Sequence, residues 1–361
     1  VATSPAVADI CDKLDLDLVD EFKTIEKNFK AKAGSNYAAS RGEYLNGIIM
    51  ANYLGYDFID AATVIFFDEN GEFDATKTNE VLRARLAESK EAVVPGFYGA
   101  MPDGTVKTFS RGGSDITGSI VAKAAKADVY ENWTDVSGFL IADPRIIDHP
   151  EAIETITYRE LRELAYMGAT VLHEDAIFPV RQEGIPINIR NTNAPEDNGT
   201  WIVGSTCQKS KYVITGIAGK KGFCSVNIEK DMMNSEIGFG RKVLQAFEEN
   251  GISFEHVPSG IDTMTVFVHQ DEFMHKEQKV VANPDTIDIE SDLALIAVVG
   301  RGMKSTRGTA GRIFSALAHK NINVKMIDQG SSELNIIIGV ANEDFETAIQ
   351  AIYDIFVITR L

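Results

Sequence analysis

A shift of 70 residues lays the C-terminal part of this chain onto itself without a gap. Gly238 falls on Gly308, Val243 on Ile313, Ala246 on Ala316 and Phe247 on Leu317. The same shift sets Ile252 on Ile322, Ser253 on Asn323, Met264 on Leu334 and Val266 on Ile336. A repeat of this length is one supersecondary unit used twice. In the first copy, strands over 213–218 and 223–228 precede a helix over 239–250, and strands near 252–256 and 264–268 close the unit. That is the β-α-β-β order of a ferredoxin-like module. Each copy holds a glycine-containing turn before its helix, which can serve a ligand or only the packing.

Upstream, strands and helices alternate. Helical spacing runs over 6–32 (Leu14, Leu18, Phe22, Ile25, Phe29) and again from Leu45 to a stop at Gly55. Short strands follow at 58–61 and 64–67, then a charged helix over 76–90 and a buried strand from Ala92 that ends in a turn at Gly96-Phe97. Later come a strand over 128–133, a helix over 158–168 and a strand over 186–190. Such alternation predicts a largely parallel sheet covered on both faces by helices.

The most informative stretch of that region is Lys107–Gly118, sequence KTFSRGGSDITG. It reads as a strand end, a turn over 111–115 and a helix from Ile116. Gly112 and Gly113 permit a sharp turn and close approach of a ligand. Ser114 or Asp115 is expected to cap the helix, leaving backbone N–H groups toward an anion. Arg111 adds a planar cationic fork suited to carboxylate or phosphate. The same residues also suit an ordinary βα turn with a surface arginine.

Bulk properties narrow the partners. The formal charge of −18 argues against nucleic acid and anionic membranes, both of which repel such a surface. No apolar run reaches the roughly 20 residues that span a bilayer. Cys11, Cys207 and Cys224 fit neither a disulfide framework nor a zinc site, six scattered histidines form no metal constellation, and a reducing, cytoplasmic setting is expected.

The loop Phe109-Ser110-Arg111-Gly112-Gly113-Ser114-Asp115 resembles the F-S-R-G-G-S-D signature of the aspartate kinases, within the amino-acid kinase family. Trp133-Thr134-Asp135-Val136-Ser137-Gly138 with Asp143-Pro144-Arg145 resembles that family's T-D-V-x-G…D-P-R. Met167–His173 resembles its G-A-x-V-L-H, and Ser40–Glu43 its S-x-G-E. The duplicated tail resembles its two ACT regulatory modules, the second through 321–324 and 329–333. The resemblance implies a kinase domain over 1–208 and ACT modules over 209–288 and 289–361, the first strand of the tail serving the second module. It implies transfer of the γ-phosphoryl of ATP, with Mg2+, to the β-carboxylate of L-aspartate. By the same resemblance, Arg111 clamps a substrate carboxylate, Ser114 hydrogen-bonds it, Glu43 pairs with the ammonium and Phe97 walls the site. Gly112 and Gly113 admit the phosphates, and Asp115 orients the site or its cations. Thr134, Asp135 and Arg145 hold ATP, with Trp133 and Leu140 near base and ribose. Taken singly, Glu43 also reads as a solvated helix acid and Asp135 as a turn former.

In the first module, Met233, Gly238, Phe239 and Gly240 resemble the cradle for an effector carboxylate, and Ser253, Phe254 and Glu255 the segment that receives its side chain. Glu255 suits an ammonium, so lysine is the first expectation and threonine the second. Phe254 alone reads equally as core, and Glu255 as an edge-strand charge. The modules imply a homodimer or homotetramer. Two departures stand out. No K-F-G-G motif precedes Glu43, Val1–Pro5 resembles the end of the family's next strand, and the expectation is that further N-terminal sequence exists, so that the source protein exceeds 39.5 kDa. Thr170 stands where many relatives carry a nucleotide-contacting lysine. A non-catalytic amino-acid sensor, or a same-fold kinase for glutamate, acetylglutamate or uridylate, are the alternatives.

Overall fold

The computed structural model describes residues 5–110, 112–169, 177–206, 210–274 and 286–359. Two compact units divide the chain: Val1–Asp135 with Leu172–Pro195 and Trp201–Gly204, and Val136–Val171 with Glu196–Thr200 and Ser205–Leu361.

The first unit starts with α1 (Pro5–Leu14) and α2 (Val19–Lys30) rather than one helix over 6–32. Asp15 takes a left-handed backbone (φ +51°) and the Asp17 carboxylate accepts the Val19 N–H at 2.8 Å. Local side-chain bonding restarts the helix where periodicity alone would continue it. Next, α3 (Ser35–Leu54) ends at left-handed Gly55, as expected. β1 (Asp57–Phe58) pairs in parallel, across α4 (Ala75–Ala87), with β2 (Ala92–Val93). Residues 64–67, all described, form no regular strand. Asp60 accepts the Ala62 N–H at 3.0 Å and starts a short 3-10 turn, so Val64 and Ile65 enter the core from a loop. β3 (Tyr98–Ala100) and β4 (Val106–Thr108) form an antiparallel hairpin that leads into α5 (Gly113–Ala125) and β5 (Tyr130–Thr134).

After β6 (Thr155–Thr157) and α6 (Tyr158–Tyr166), which belong to the second unit, the chain returns with α7 (Phe178–Glu183), β7 (Ile187–Asn191) and β8 (Thr200–Val203). β5 and β7 pair in parallel, Tyr130 opposite Ile187. The core of this unit is built on Ile59, Ile65, Leu82, Tyr98 and Ile120.

The second unit carries the repeat. Its strands β9 (Gly216–Glu229), β10 (Phe254–His256), β11 (Thr263–His269), β12 (Thr286–Val299), β13 (Met326–Asp328) and β14 (Asn335–Ala341) form one sheet in the order β10-β11-β9-β12-β14-β13. Besides α6, its helices among the described residues are α8 (Phe239–Glu249), α9 (Gln270–Met274), α10 (Thr309–His319) and α11 (Phe345–Tyr353). The two strands expected at 213–218 and 223–228 are one, β9, which changes partners near Gly222 (φ +91°). Its first half lies along the end of β12 (Ala218 opposite Ala297), its second half along β11 and the start of β12.

The repeat is not gapless. α8 and α10 start 70 residues apart, at Phe239 and Thr309, whereas β11 and β14 start 72 apart, at Thr263 and Asn335. Buried Met264, Val266 and Val268 therefore correspond to buried Ile336, Ile338 and Val340. A strand slipped by two residues keeps every side chain on its face, so apolar alternation cannot reveal the insertion. Among the described residues no helix is long and apolar enough to cross a membrane.

Candidate functional site

The first turn of α5 starts earlier than expected. Gly112, left-handed at φ +57°, is the N-cap; Ser114 and Asp115 lie inside the helix, and no side chain caps it. Two consecutive glycines allow this early start. Asp115 is instead drawn to β5, where its Oδ1 accepts Asn132 Nδ2–H at 2.9 Å while the Tyr130 hydroxyl donates to its carbonyl at 3.2 Å. Burial, opposed by the Asn132 bond, pushes the Tyr130 phenol up to about 12, so it stays a donor at neutral pH. The uncapped start of α5 presents N–H groups and the positive helix end to an anion.

The turn Gly96-Phe97 interlocks with that helix start. A Cβ on Gly113 would stand 2.6 Å from Phe97 Cβ and 2.9 Å from its Cα, and one on Gly96 would stand 3.0 Å from Ser114 Oγ. Phe97 itself is left-handed, φ +61°.

Glu43 lies on the face of α3 that also carries Asn36 and Gly47. Thr108 Oγ1 donates to Asn36 Oδ1 at 3.1 Å, and a Cβ on Gly47 would stand 3.3 Å from Pro95. That face thus rests on both strand ends, one leading to Phe97 and the other to the glycine loop. Glu43, Phe97, Gly112, Gly113, Ser114 and Asp115 therefore share one region of the first unit. Arg111 and Thr170 lie outside the described residues.

The remaining nucleotide candidates are split between the units. Trp133 is 44 % exposed, stacks with Arg190 at 4.9 Å and donates from Nε1 to Glu131 at 3.1 Å. Thr134 donates to Asp135 Oδ1 at 3.3 Å, while its carbonyl accepts from Thr192 N–H at 2.8 Å. In the second unit, Leu140 and Arg145 line a cavity of about 360 Å3 together with Gly168, Ile217 and Phe345. Asp143 holds Arg145 through Nε at 3.0 Å and Nη2 at 2.6 Å, and the guanidinium keeps the Asp143 carboxyl below the usual range.

Among the effector candidates, Met233 lies in a short 3-10 turn and Gly238 (φ +85°) is the N-cap of α8, whose first residues are buried Phe239 and Gly240. The Ser253 N–H donates to Glu272 at 3.4 Å, Phe254 is 46 % exposed, and Glu255 faces His269 at 3.3 Å.

Sequence reasoning missed several groups that build this region of the first unit. Thr117 and Asn132 fix its backbone and its acid. Arg41 is buried with its guanidinium 4.5 Å from the Tyr37 and Tyr44 rings, and donates to Ser40 Oγ at 3.0 Å. The Tyr98 hydroxyl donates to Asp60 at 2.7 Å. No spacing in the sequence joins these residues, because each acts across elements.

The fold is that of an α/β unit with a glycine-rich strand–helix turn and a second unit with a repeated α/β module on one sheet. Residues 4–191 match the model of the amino acid kinase family, and residues 296–356 match an ACT domain. Aspartokinase 3 of Bacillus subtilis is 40% identical over 330 residues, which span 87% of this chain and 72% of that protein. The crystal structure of Clostridium acetobutylicum aspartate kinase superposes with a TM-score of 0.89 at 53% identity, covering 95% of this chain and 80% of that one. Aspartokinase III of E. coli, crystallised with aspartate and ADP, superposes at 0.70 with 23% identity over 93% of this chain and 81% of that chain, a likeness of fold. The chain belongs to the amino acid kinase family and, within it, to the aspartokinases, which are ATP-dependent kinases.

Proposed function

We propose that this protein transfers the γ-phosphoryl group of ATP to the β-carboxylate of L-aspartate. One observation carries the reading: the uncapped α5 start, the interlocked Phe97 turn and the Glu43 face of α3 converge on one region. A carboxylate acceptor is already ionised near neutral pH, so positioning and charge neutralisation dominate and no strong base is needed. In this reading Arg111 and Ser114 hold one aspartate carboxylate, Glu43 takes its ammonium and Phe97 closes the side. The N–H groups around Gly112 and Gly113 face the phosphates, and Asp115, aligned by Asn132, orients cationic groups. Trp133, Thr134 and Asp135 of the first unit receive the nucleotide; Leu140 and Arg145, in the second unit, are nucleotide candidates on their own.

Magnesium fits this arrangement as an ion that arrives on the phosphates. Among the described residues, no group of three or more His, Cys, Asp or Glu could hold a metal by itself, and Mg2+ commonly binds through nucleotide phosphates and waters.

The proposal extends to regulation. A kinase domain over 1–208 is followed by modules over 209–288 and 289–361. The segment from Met233 to Gly240 with Ser253, Phe254 and Glu255 takes an amino-acid effector, lysine first, and the modules join copies into a homodimer or homotetramer. The acyl phosphate formed stands at the first step toward lysine, threonine and methionine in the cytoplasm. Trapping with hydroxylamine tests the core: MgATP with aspartate should give a hydroxamate that glutamate does not, and lysine should suppress it. Nucleotide turnover without aspartyl hydroxamate would exclude the reading.

A further inference from the structure

Phe97 is held in a backbone conformation that a phenylalanine adopts only under constraint, φ +61°. One of the two bonds that hold it comes from a side-chain hydroxyl. Thr117, 3 % exposed on the inner face of α5, accepts the Phe97 N–H on Oγ1 at 3.0 Å and donates to the Gly113 carbonyl at 2.8 Å. The other polar group of Phe97, its carbonyl, accepts the Phe109 N–H at 2.9 Å. The turn is therefore tied on one side to α5 and on the other to the strand end that runs into the glycine loop. Gly113 has no Cβ where Phe97 packs, and one there would stand 2.6 Å from Phe97 Cβ, so the turn and the helix start approach as closely as only a glycine allows.

We infer that Thr117 is a positioning residue for the amino-acid acceptor. Its hydroxyl fixes the Phe97 turn against the first turn of α5, and so sets the distance between the wall of the acceptor pocket and the groups that grip its carboxylate. A threonine that merely back-bonded to the residue four positions earlier in its own helix would need only the Gly113 contact. Here the same oxygen also takes a donor from a different element, and that donor belongs to the strained residue. Without the hydroxyl, the Phe97 N–H is buried against a methyl group and the turn loses what holds it left-handed. Of the groups assigned to the nucleotide, only the Gly112-Gly113 turn touches this link, through the Gly113 carbonyl; Trp133, Thr134, Asp135, Leu140 and Arg145 take no part in it, so the larger effect falls on the acceptor.

This inference rests on the aspartate-kinase reading, and the test separates the two. Thr117→Val keeps the shape and removes the hydroxyl; Thr117→Ser keeps the hydroxyl. Thr117→Val is expected to raise KM for aspartate by about tenfold or more, with KM for ATP within about twofold, while Thr117→Ser stays within about threefold of the wild type. In a Phe97→Gly background, where the left-handed turn costs nothing, the Thr117→Val penalty should shrink to about threefold or less. Folded Thr117→Val with an unchanged KM for aspartate, or with equal rises for both substrates, overturns the inference. A second measurement needs no variant and no turnover: hydrogen exchange at the Phe97 amide should be protected in the wild-type protein, and exchange at the free-peptide rate refutes the lock even if Thr117→Val fails to fold. Absence of any aspartate-dependent turnover in the wild type, with that amide protected, would instead refute the functional reading.

Discussion

Replacing Glu160 by glutamine should destabilise the second unit far more than a single methyl-scale change in a core would. Glu160 is fully buried at the first turn of α6 and sits among donors only. Its Oε1 accepts from Thr215 Oγ1 at 2.6 Å, from the Arg301 N–H at 2.9 Å and from Arg301 Nη1 at 3.2 Å. Its Oε2 accepts from the Thr157 N–H at 2.9 Å, from Thr157 Oγ1 at 2.7 Å and from Arg301 Nη1 at 3.0 Å. A glutamine offers one acceptor oxygen, so its NH2 group must face donors in either orientation. The hydroxyls can turn to accept, but the backbone N–H and the guanidinium cannot. The loss includes a capping box and the carboxylate partner of Arg301, and breaking such a buried pair costs about 3–5 kcal/mol. At about 2–4 °C per kcal/mol for a unit of this size, the thermal midpoint should fall by about 10 °C.

Burial pulls the Glu160 carboxyl upward, but the bonds from Thr215, Arg301 and Thr157 outweigh it and leave its pKa lowered. A depressed carboxyl stabilises the fold above its unfolded pKa and loses that contribution as pH falls through the folded one. Unfolding of wild type and Glu160→Gln should therefore differ fully near neutral pH and converge in acid. A midpoint within about 2 °C of wild type at neutral pH would refute the donor-only description of this pocket.

Two further outcomes are expected at other sites. Gly113→Ala places a methyl 2.6 Å from Phe97 Cβ and 2.9 Å from its Cα; overpacking against backbone should cost about 1–3 kcal/mol in urea unfolding and raise KM for aspartate. Glu255→Gln should raise the lysine concentration for half-inhibition by about tenfold while leaving uninhibited turnover unchanged, because charge-assisted bonds to an ammonium lose most of their strength; initial rates across a lysine titration measure it.

The glycine loop, the turn at Gly96-Phe97 and the helix stop at Gly55 were legible because fixed residue types at fixed spacing dictate backbone geometry. The duplication was legible in its helices, where an offset changes the buried face, and not in its strands, where a two-residue insertion leaves the alternation intact. The break between α1 and α2 escaped the periodicity because the left-handed Asp15 and the local bond from the Val19 N–H to the Asp17 carboxylate outcompeted it. The N-cap was misread because the sequence shows capping residues but not that Asn132 draws Asp115 away. Thr117 and the pair Glu160–Arg301 were invisible for a simpler reason: each bridges elements far apart in sequence, and a buried threonine or glutamate carries no mark of its partner.

The proposed function assigns Arg111 and Glu43 to the aspartate acceptor and not to the nucleotide. Calorimetric titration of aspartate and of a non-hydrolysable ATP analogue into wild type, Arg111→Ala and Glu43→Gln tests it most directly. Both variants should lose aspartate binding by about tenfold or more while retaining analogue affinity. Aspartate affinity equal to wild type in both folded variants would contradict the account.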